Sequence, residues 1–276
     1  MRGPLAHGAL GAVATAVLVA WLVRAILENA SLETLTLNLL LRGVDPFRGM
    51  ALEQALAVSV GRSLVLVVAA LAAATVLGLA LAAAFAFSSS GVLRGAAWAA
   101  GTVGVSLPSF FWAMLLQLAV VLWYVRTQQS VLPTQGFGID AHLILPALAL
   151  GARPAAYVFR TAATALDEVR HGDFVRTARA KGLLESLVAR RHVLPNALPQ
   201  IASGFGLAAR SALSSLAIVE YVFAWHGAGY GFIHAVANGR ADLAAAIAVA
   251  FAVVFGLVTA LVGAFGRAFD PRLARA

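Results

Sequence analysis

Hydrophobic residues of this chain gather into long runs rather than alternating singly with polar residues. A helix rises about 1.5 Å per residue, so about 20 mostly apolar residues are needed to cross a hydrocarbon core of about 30 Å. Six runs meet that length, at about 9–27, 63–87, 97–124, 142–163, 199–224 and 243–266. The pattern therefore predicts an all-α integral membrane protein with six transmembrane helices.

Composition supports the bilayer as the main solvent of this chain. Hydrophobic residues make up 61% of the 276 residues and charged residues only 12%, with a mean hydropathy of +0.88. The net charge of +8 is not accompanied by interleaved exposed aromatics or by a polar domain, so nucleic acid is not an expected partner. The absence of cysteine from the sequence excludes disulfides and thiolate metal sites.

The distribution of arginine and lysine predicts the topology, because basic residues collect on the cytoplasmic side of a membrane. They concentrate at the N-terminus, in the second and fourth connections and in the C-terminal tail, which places both termini in the cytoplasm. A signal peptide is the alternative for the first run, although Trp21 and Arg24 do not suit a small-residue cleavage site. Four aromatic residues are expected at the outer interface: Trp123, Tyr124, Tyr221 and Trp225.

Two short segments on the external side have local patterns of their own. Residues 51–60, within the long external connection, suggest a short helix lying along the membrane interface. The glycine-rich "GAGYG" at 227–231 is interpreted as a turn, because no strand precedes it as a nucleotide-binding fingerprint would require.

The fourth connection, between the fourth and fifth runs, is strongly basic and carries helix start and stop signals. Asp173 is predicted to cap a helix of about nine residues that ends at Gly182 in a left-handed conformation. A second short helix is predicted from Ser186 to Val193, ending near Pro195. From the residues alone, this segment either sets the membrane topology through its positive charge or forms a structured element on which another protein docks.

The spacing in this connection resembles that of membrane subunits of binding-protein-dependent ABC importers. Their signature is EAA, three residues, Gly, nine residues, Ile, one residue, Leu-Pro, and it matches here at Ala178, Gly182, Leu194 and Pro195. Arg176, Thr177 and His192 replace the remaining signature residues. The segments "VRTARAKGL", "SLPSFFWAMLL", "HLILPALALG", "EYVFAW" and "FDPRLARA" are similar to the dipeptide, oligopeptide and nickel permease subfamily. The resemblance covers residues 100–276, while the N-terminal third is shorter than usual and lacks the Pro-Gly-Asp-Pro segment.

The resemblance implies a type I ABC importer-like fold in the bacterial inner membrane. It implies one permease domain over 1–276, with the first span and external connection in 1–61, a five-span core in 62–276 and a cytoplasmic coupling-helix region at 164–197. The implied coupling residues are Asp173, Arg176, Thr177, Ala178, Arg179, Ala180, Lys181, Gly182, Leu194 and Pro195.

The partners implied by the resemblance are a second permease, two cytoplasmic ATPases and an extracytoplasmic solute-binding protein. No cofactor is expected on this chain, and ATP with magnesium is expected on the ATPases. Consistently, Lys181 lacks the glycine six residues earlier that a Walker A loop requires, because Val175 stands there. The implied substrates are di- and oligopeptides, with nickel or a metal chelate as the alternative.

Four residues within the apolar runs are candidates for the translocation pathway: Pro108, Arg153, Arg210 and Glu220. An arginine in the middle of a membrane helix costs about 2.5–3.5 kcal/mol on insertion scales and usually faces a bundle interior or water. Arg153 and Arg210 therefore either attract an anionic group of the solute or pair with a partner subunit or with backbone carbonyls.

Other functional classes are less favoured by the residues. An ATP-independent secondary transporter or channel stays open, since it could use the same intramembrane arginines. A membrane enzyme is not expected, because no nucleophile, base and orienting group stand at a recognisable spacing. His226, His234 and Asp242 have no ordered metal-ligand spacing, so no metal site is predicted.

Overall fold

The computed structural model describes the backbone of residues 52–269 and the side chains of residues 53–261. All regular secondary structure in this part of the chain is helical. The run at 9–27, most of the external connection and the tail beyond Phe269 lie outside the described residues.

Nine α-helices, one 3₁₀ turn and one π-helical turn make up the described part. The α-helices are α1 (Leu52–Phe87), α2 (Gly91–Ser106), α3 (Ser109–Thr127), α4 (Ile144–Arg170), α5 (Asp173–Ala180), α6 (Glu185–Val188), α7 (Leu194–Val222), α8 (Ala228–Ala237) and α9 (Ala241–Phe269). The 3₁₀ turn (Ala141–Leu143) precedes α4, and the π turn (Ala189–Val193) joins α6 to α7.

Five helical stretches of the described residues are long and apolar enough to cross a membrane. They are Glu53–Phe87, Ser109–Thr127, Ala141–Arg170, Glu185–Val222 and Ala241–Leu261. Each overlaps one of the five runs predicted after the first, which confirms the all-α, multi-span class.

The prediction of one continuous helix over 97–124 is wrong. The chain forms two helices there, and between them Leu107 is extended, with φ −81° and ψ 133°. Pro108 is the physical reason, because its ring disfavours helical dihedrals at the preceding residue and it has no N–H to donate. Only α3 has the length and hydropathy of a span in this region.

The prediction of a separate interfacial helix at 51–60 is also wrong. From residue 52 onward this segment forms the start of α1, which continues without interruption to Phe87. The α1 sequence contains no proline and is rich in alanine and leucine, so nothing in it ends a helix.

The described residues form two compact units. The first unit comprises 52–70, Ser109–Leu150 and Leu213–Ala260; the second comprises Leu71–Pro108, Gly151–Ala212 and 261–269.

A small apolar core holds the first unit together. Ala55 of α1, Ala228 and Ala235 of α8, and Leu243 and Ile247 of α9 are buried in this core. The core therefore fixes α8 against the start of α1.

The core of the second unit contains a group of packed aromatic rings. Phe159 of α4 is fully buried and meets Phe85 edge-on at 6.1 Å and Trp98 at 6.2 Å between ring centroids. Gly104 lets α2 approach α4 closely, since a Cβ there would lie 2.7 Å from the Cβ of Ala156. The same core includes Val175 and Val188, which anchor the basic connection.

Candidate functional site

A buried carboxylate in the first unit organises the start of α8. Glu220, near the end of α7, has no exposed surface, and its Oε1 accepts a 2.5 Å hydrogen bond from the Ser63 hydroxyl of α1. Its Oε2 accepts hydrogen bonds from the backbone N–H groups of Gly229 (2.7 Å) and Tyr230 (3.1 Å). The Ser63 oxygen in turn accepts from the N–H of Ala228 at 2.8 Å. We call Ser63, Glu220 and residues 227–230 the Glu220 cluster.

This arrangement satisfies a need that every helix start creates. The first N–H groups of a helix have no partner within the helix, and negative charge is favourable beside them. In α8 the N-cap residue is Gly227, which has no side chain to supply a cap. Ser63 and Glu220 supply it instead from two other helices, so the cluster joins α1, α7 and α8.

The two glycines of the Glu220 cluster are required by space rather than by backbone dihedrals. A Cβ on Gly227 would lie 2.5 Å from the Glu220 Cδ, and a Cβ on Gly229 would lie 3.0 Å from the Glu220 Oε2 and 2.7 Å from the Ala217 Cβ. The prediction that 227–231 forms a turn is therefore wrong: from Ala228 the segment is the first turn of α8, with its glycines against the carboxylate.

A loop of the first unit fastens the end of α7 beside this cluster. Trp225 is fully buried, donates its Nε1–H to the Arg62 carbonyl at 3.1 Å and meets the Phe137 ring at 4.7 Å between centroids. The Arg62 guanidinium lies 4.2 Å from the centroid of the same Phe137 ring. The Trp225 ring is thus an internal anchor and not a lipid-facing ring.

The ring of Tyr230, a member of the Glu220 cluster, packs against two histidine rings. The Tyr230 ring lies 5.1 Å from that of His226 and 4.2 Å from that of His234. Burial, and then the nearby Arg62 charge, lower the pKa of His226 below its ordinary value of 6.5. Across the described residues no three His, Cys, Asp or Glu side chains are placed to hold a metal ion.

The basic connection of the second unit begins with the short helix α5. Val175 and Ala178 are buried in the second core, while the Asp173 side chain is 98% exposed. The predicted N-cap is wrong: Gly172 takes that place without a side-chain hydrogen bond, and Asp173 is the first helical residue, 3.7 Å from Arg176.

The predicted helix end at Gly182 is confirmed. Gly182 has φ +77°, its N–H bonds the Arg179 carbonyl at 2.9 Å, and the N–H of Leu183 bonds the Ala178 carbonyl at 3.4 Å. This pair of bonds is the Schellman motif, which favours glycine at the left-handed position. The chain therefore turns a defined corner after α5.

Arg179 braces that corner from three sides. Its guanidinium donates to Glu185 at 2.6 Å and 3.3 Å and to the Arg170 carbonyl at 3.3 Å. These contacts connect the end of α4, α5 and the start of α6. The brace leaves the outer surface of the connection free, where Phe174 (47% exposed), Leu184 (74%) and Leu187 (42%) stand among basic residues.

The predicted stop at Pro195 is wrong. After α6 the chain passes through the π turn and continues directly into α7, in which Pro195 is the second residue. The Leu194 N–H bonds the Ala189 carbonyl five residues back. The wider π register is a known way to fit proline into a continuing helix, because the ring would clash with the carbonyl of an ordinary α turn.

The four predicted pathway residues have different local surroundings. Pro108 is exposed at the break between α2 and α3. Arg153 is half-buried, and its Nε is buried without a hydrogen-bond partner among the described residues. Arg210 is exposed on α7. Glu220 directs both carboxylate oxygens into its cluster.

The described residues contain several helices of membrane-spanning length. Two of the spans are joined by a basic connection whose corner is held by Arg179. The chain is therefore a multi-pass membrane protein with a structured connection between two spans. Residues 74–275 match the family described as "Binding-protein-dependent transport system inner membrane component". Because that match covers most of the sequence, the chain belongs to this family. The family expected from the sequence motifs is confirmed.

Curated relatives of the chain are named as permeases of peptide transport systems. The di/tripeptide transport system permease protein DppB of Pseudomonas aeruginosa (strain UCBPP-PA14) is 35% identical over an alignment of 158 residues, which covers 49% of this chain and 47% of that protein. The glutathione transport system permease protein GsiC of Pectobacterium atrosepticum is 40% identical over 126 residues (46% and 40%). The dipeptide transport system permease protein DppB of Escherichia coli (strain K12) is 34% identical over 159 residues (48% and 47%). The chain spans about half the length of the curated relatives it matches.

Sequence reasoning identified Glu220 but missed Ser63, Gly227 and Gly229. A signal for the serine was present, because a polar side chain within a membrane-spanning run needs a partner there. The glycines precede or begin a helix that was itself not predicted, so their role could not be recognised.

Proposed function

We propose that this chain is the permease subunit of an ATP-driven importer that carries di- or oligopeptides across the bacterial inner membrane. Family membership and the peptide-transport names of the relatives support this proposal. The observation that carries the mechanism is the braced corner: a short helix anchored by Val175 and Ala178, ended by Gly182 and held by Arg179. Such a corner can transmit force because contacts within the chain hold its shape.

In this proposal residues 164–197 form the cytoplasmic coupling region that docks on a separate ATPase subunit. The exposed apolar side chains and the surrounding arginines form the docking surface. ATP and magnesium bind to two ATPase subunits, a second permease completes the pathway, and a solute-binding protein delivers the peptide from outside. Both termini then lie in the cytoplasm.

Transport would follow alternating access. The loaded binding protein docks outside, ATP closes the two ATPases, and their movement acts on the coupling region so that the pathway opens outward. Hydrolysis returns the pathway to its inward state. This chain contributes the lever and part of the pathway, and it catalyses no chemical step.

Replacement of Gly182 tests the coupling role. Gly182→Val places a β-branched residue at φ +77°, where only glycine and asparagine sit readily, while Gly182→Asn keeps that conformation accessible. The position has open space, with no atom within 4 Å of an added Cβ, so the effect acts through the backbone. We expect Val to lower peptide-stimulated ATP hydrolysis about tenfold or more, equivalent to about 1.4 kcal/mol of lost coupling, with Asn close to wild type.

The assay is ATP hydrolysis and peptide uptake by the reconstituted complex in proteoliposomes, with subunit abundance as the control for insertion. Equal stimulation in both variants would contradict the coupling role. Peptide uptake by this chain without ATPases would instead favour the secondary-transporter alternative. Selective uptake of a nickel chelate over peptides would favour the metal-importer alternative.

We also propose that Arg153 and Arg210 face the translocation pathway. Arg210 is exposed within a membrane-spanning helix and Arg153 has a buried nitrogen without a partner among the described residues, so each needs water, a subunit or a solute beside it. Arg153→Met and Arg210→Met should reduce uptake of an acidic dipeptide about tenfold more than uptake of a neutral one. Arg126→Met, at the exposed end of α3, is the matched control. Equal losses for both dipeptides would contradict a role in attracting the solute.

A further inference from the structure

A cavity in the second unit adjoins the braced corner, and the proposed docking on the ATPase does not use its interior. Its volume is about 330 Å³, and it is lined by Phe87 of α1, Arg170 of α4, Arg179 of α5, Glu185 of α6, and Ala189 and Val193 of the π turn. We call it the corner cavity. Its lining combines apolar side chains with two guanidinium groups and one carboxylate.

The corner cavity is formed where three candidate membrane spans begin or end. Phe87, Arg170 and Glu185 are the terminal residues of three membrane-spanning stretches, Glu53–Phe87, Ala141–Arg170 and Glu185–Val222. Because the ends of membrane-crossing helices are the parts that meet the headgroup region, a phospholipid headgroup can reach a cavity formed there. Phe87 is 56% exposed, so its ring is available to acyl chains.

The charges of the corner cavity are unbalanced in favour of an anion. Arg179 is occupied, because it pairs with Glu185 and donates to the Arg170 carbonyl. The Nη1 of Arg170 is buried and has no hydrogen-bond partner within the described part of the chain. A buried donor without an acceptor costs about 1–3 kcal/mol, and more when it is charged, so an acceptor there would be strongly stabilising.

We propose that the corner cavity binds the phosphate of an anionic phospholipid, with Arg170 as the principal ligand and the lipid chains running past Phe87. A guanidinium suits phosphate because it donates two parallel hydrogen bonds. Basic pockets at the cytoplasmic ends of membrane helices recognise anionic headgroups by this chemistry. An acidic side chain of a soluble protein would meet the same arginine but would not use the apolar edge, so the position and lining favour lipid.

Lipid retention by the purified full-length chain tests the proposal. The protein is exchanged into mixed phosphatidylglycerol and phosphatidylcholine nanodiscs, extracted gently, and the retained lipids are counted by native mass spectrometry. We expect phosphatidylglycerol to be retained about tenfold over phosphatidylcholine, and Arg170→Gln to reduce this ratio to about twofold or less. The matched control is Arg190→Gln, which removes an exposed arginine of the same connection outside the cavity. Full retention by Arg170→Gln, or an equal loss in Arg190→Gln, would overturn the proposal.

Competition distinguishes the sources of the anion. Inorganic phosphate at millimolar concentration should leave the retained phosphatidylglycerol in place, because it lacks the acyl chains. Displacement by phosphate would assign the site to a soluble anion, and displacement by a partner ATPase would assign it to a protein; either result overturns the lipid proposal.

A measurement on the wild-type chain covers the case in which Arg170→Gln does not fold. Hydrogen exchange of peptides from 168–193 should slow in phosphatidylglycerol nanodiscs relative to phosphatidylcholine nanodiscs, while peptides from α3 should not change. Equal exchange in the two lipids would overturn the proposal. The result does not depend on transport, so it can fail while the importer function stands.

Discussion

The Glu220 cluster and the braced corner both use charged side chains to fix a helix end, but they do so in opposite environments. Glu220 is completely buried, and its oxygens are occupied by Ser63, Gly229 and Tyr230. In the corner, the side chains of Arg179 and Glu185 are 37% and 71% exposed. A buried charge requires its hydrogen-bond partners, whereas an exposed pair exchanges them readily with water.

This difference indicates which mutations should destabilise each region. The Glu220 cluster is a closed network in which removing one member leaves donors without acceptors. The corner derives its shape mainly from the Schellman turn and from buried Val175, Ala178 and Val188, and its ion pair adds orientation. We therefore expect mutations of charged residues to be far more damaging in the first region than in the second.

The largest effect is expected from Glu220→Ala. The substitution leaves the N–H groups of Gly229 and Tyr230 and the Ser63 hydroxyl without their acceptor in a buried site. Each buried unsatisfied group costs about 1–3 kcal/mol, so the free energy of unfolding should fall by about 3 kcal/mol or more. Denaturant unfolding in detergent measures the change, with exposed Glu168→Ala as the matched control. A loss no larger than that of the control would show that the cluster does not stabilise the fold.

An intermediate effect is expected from Gly229→Ala. The new methyl group would overlap the backbone and side chain of Ala217 and press on the Glu220 carboxylate, which should cost about 1–3 kcal/mol. Gly61→Ala is the control within the same unit, because nothing lies within 4 Å of its Cβ position. That control should be neutral or stabilising by up to about 1 kcal/mol, since alanine favours a helix over glycine. Equal unfolding midpoints for the two variants would argue against tight packing at the start of α8.

The smallest effect is expected from Glu185→Gln in the braced corner. The exposed ion pair with Arg179 is screened by salt, and water can replace it. The unfolding temperature of the variant should therefore equal that of wild type, at low salt as well as at high salt. Differential scanning fluorimetry on wild type and variant at the two salt concentrations checks this. A drop comparable with that of Glu220→Ala would mean that the corner, too, depends on a closed network.

Local patterns were sufficient to predict much of the helical framework. The long apolar runs correctly indicated the five described spans, and Gly182 was recognised because a left-handed helix end has a glycine signature. The helix break at Pro108 also has a local cause, the proline itself. It was missed because one proline hardly changes the hydropathy of a long apolar run. Pro195 had the opposite effect: it predicted a helix end, but the π turn before it lets the helix continue.

The Glu220 cluster could not be predicted in the same way because its members are distant in the chain. Ser63 and Glu220 are 157 residues apart, and their hydrogen bond is settled only when α1 and α7 pack. Glu220 uses Ser63, Gly229 and Tyr230 as its hydrogen-bond partners. Which partners it uses depends on tertiary structure, including a helix that begins at Ala228 and was read as a turn.

The close contact between Glu220 and its two glycines also constrains how related genes can diverge. A side chain at 227 or 229 would collide with the carboxylate, and a shorter residue at 220 would leave the first turn of α8 uncapped. Single substitutions at any of the three positions are therefore disfavoured, while coordinated changes can restore the fit. We expect positions 220, 227 and 229 to be inherited as a set, so that their joint variation in an alignment of homologues would trace this cap through lineages.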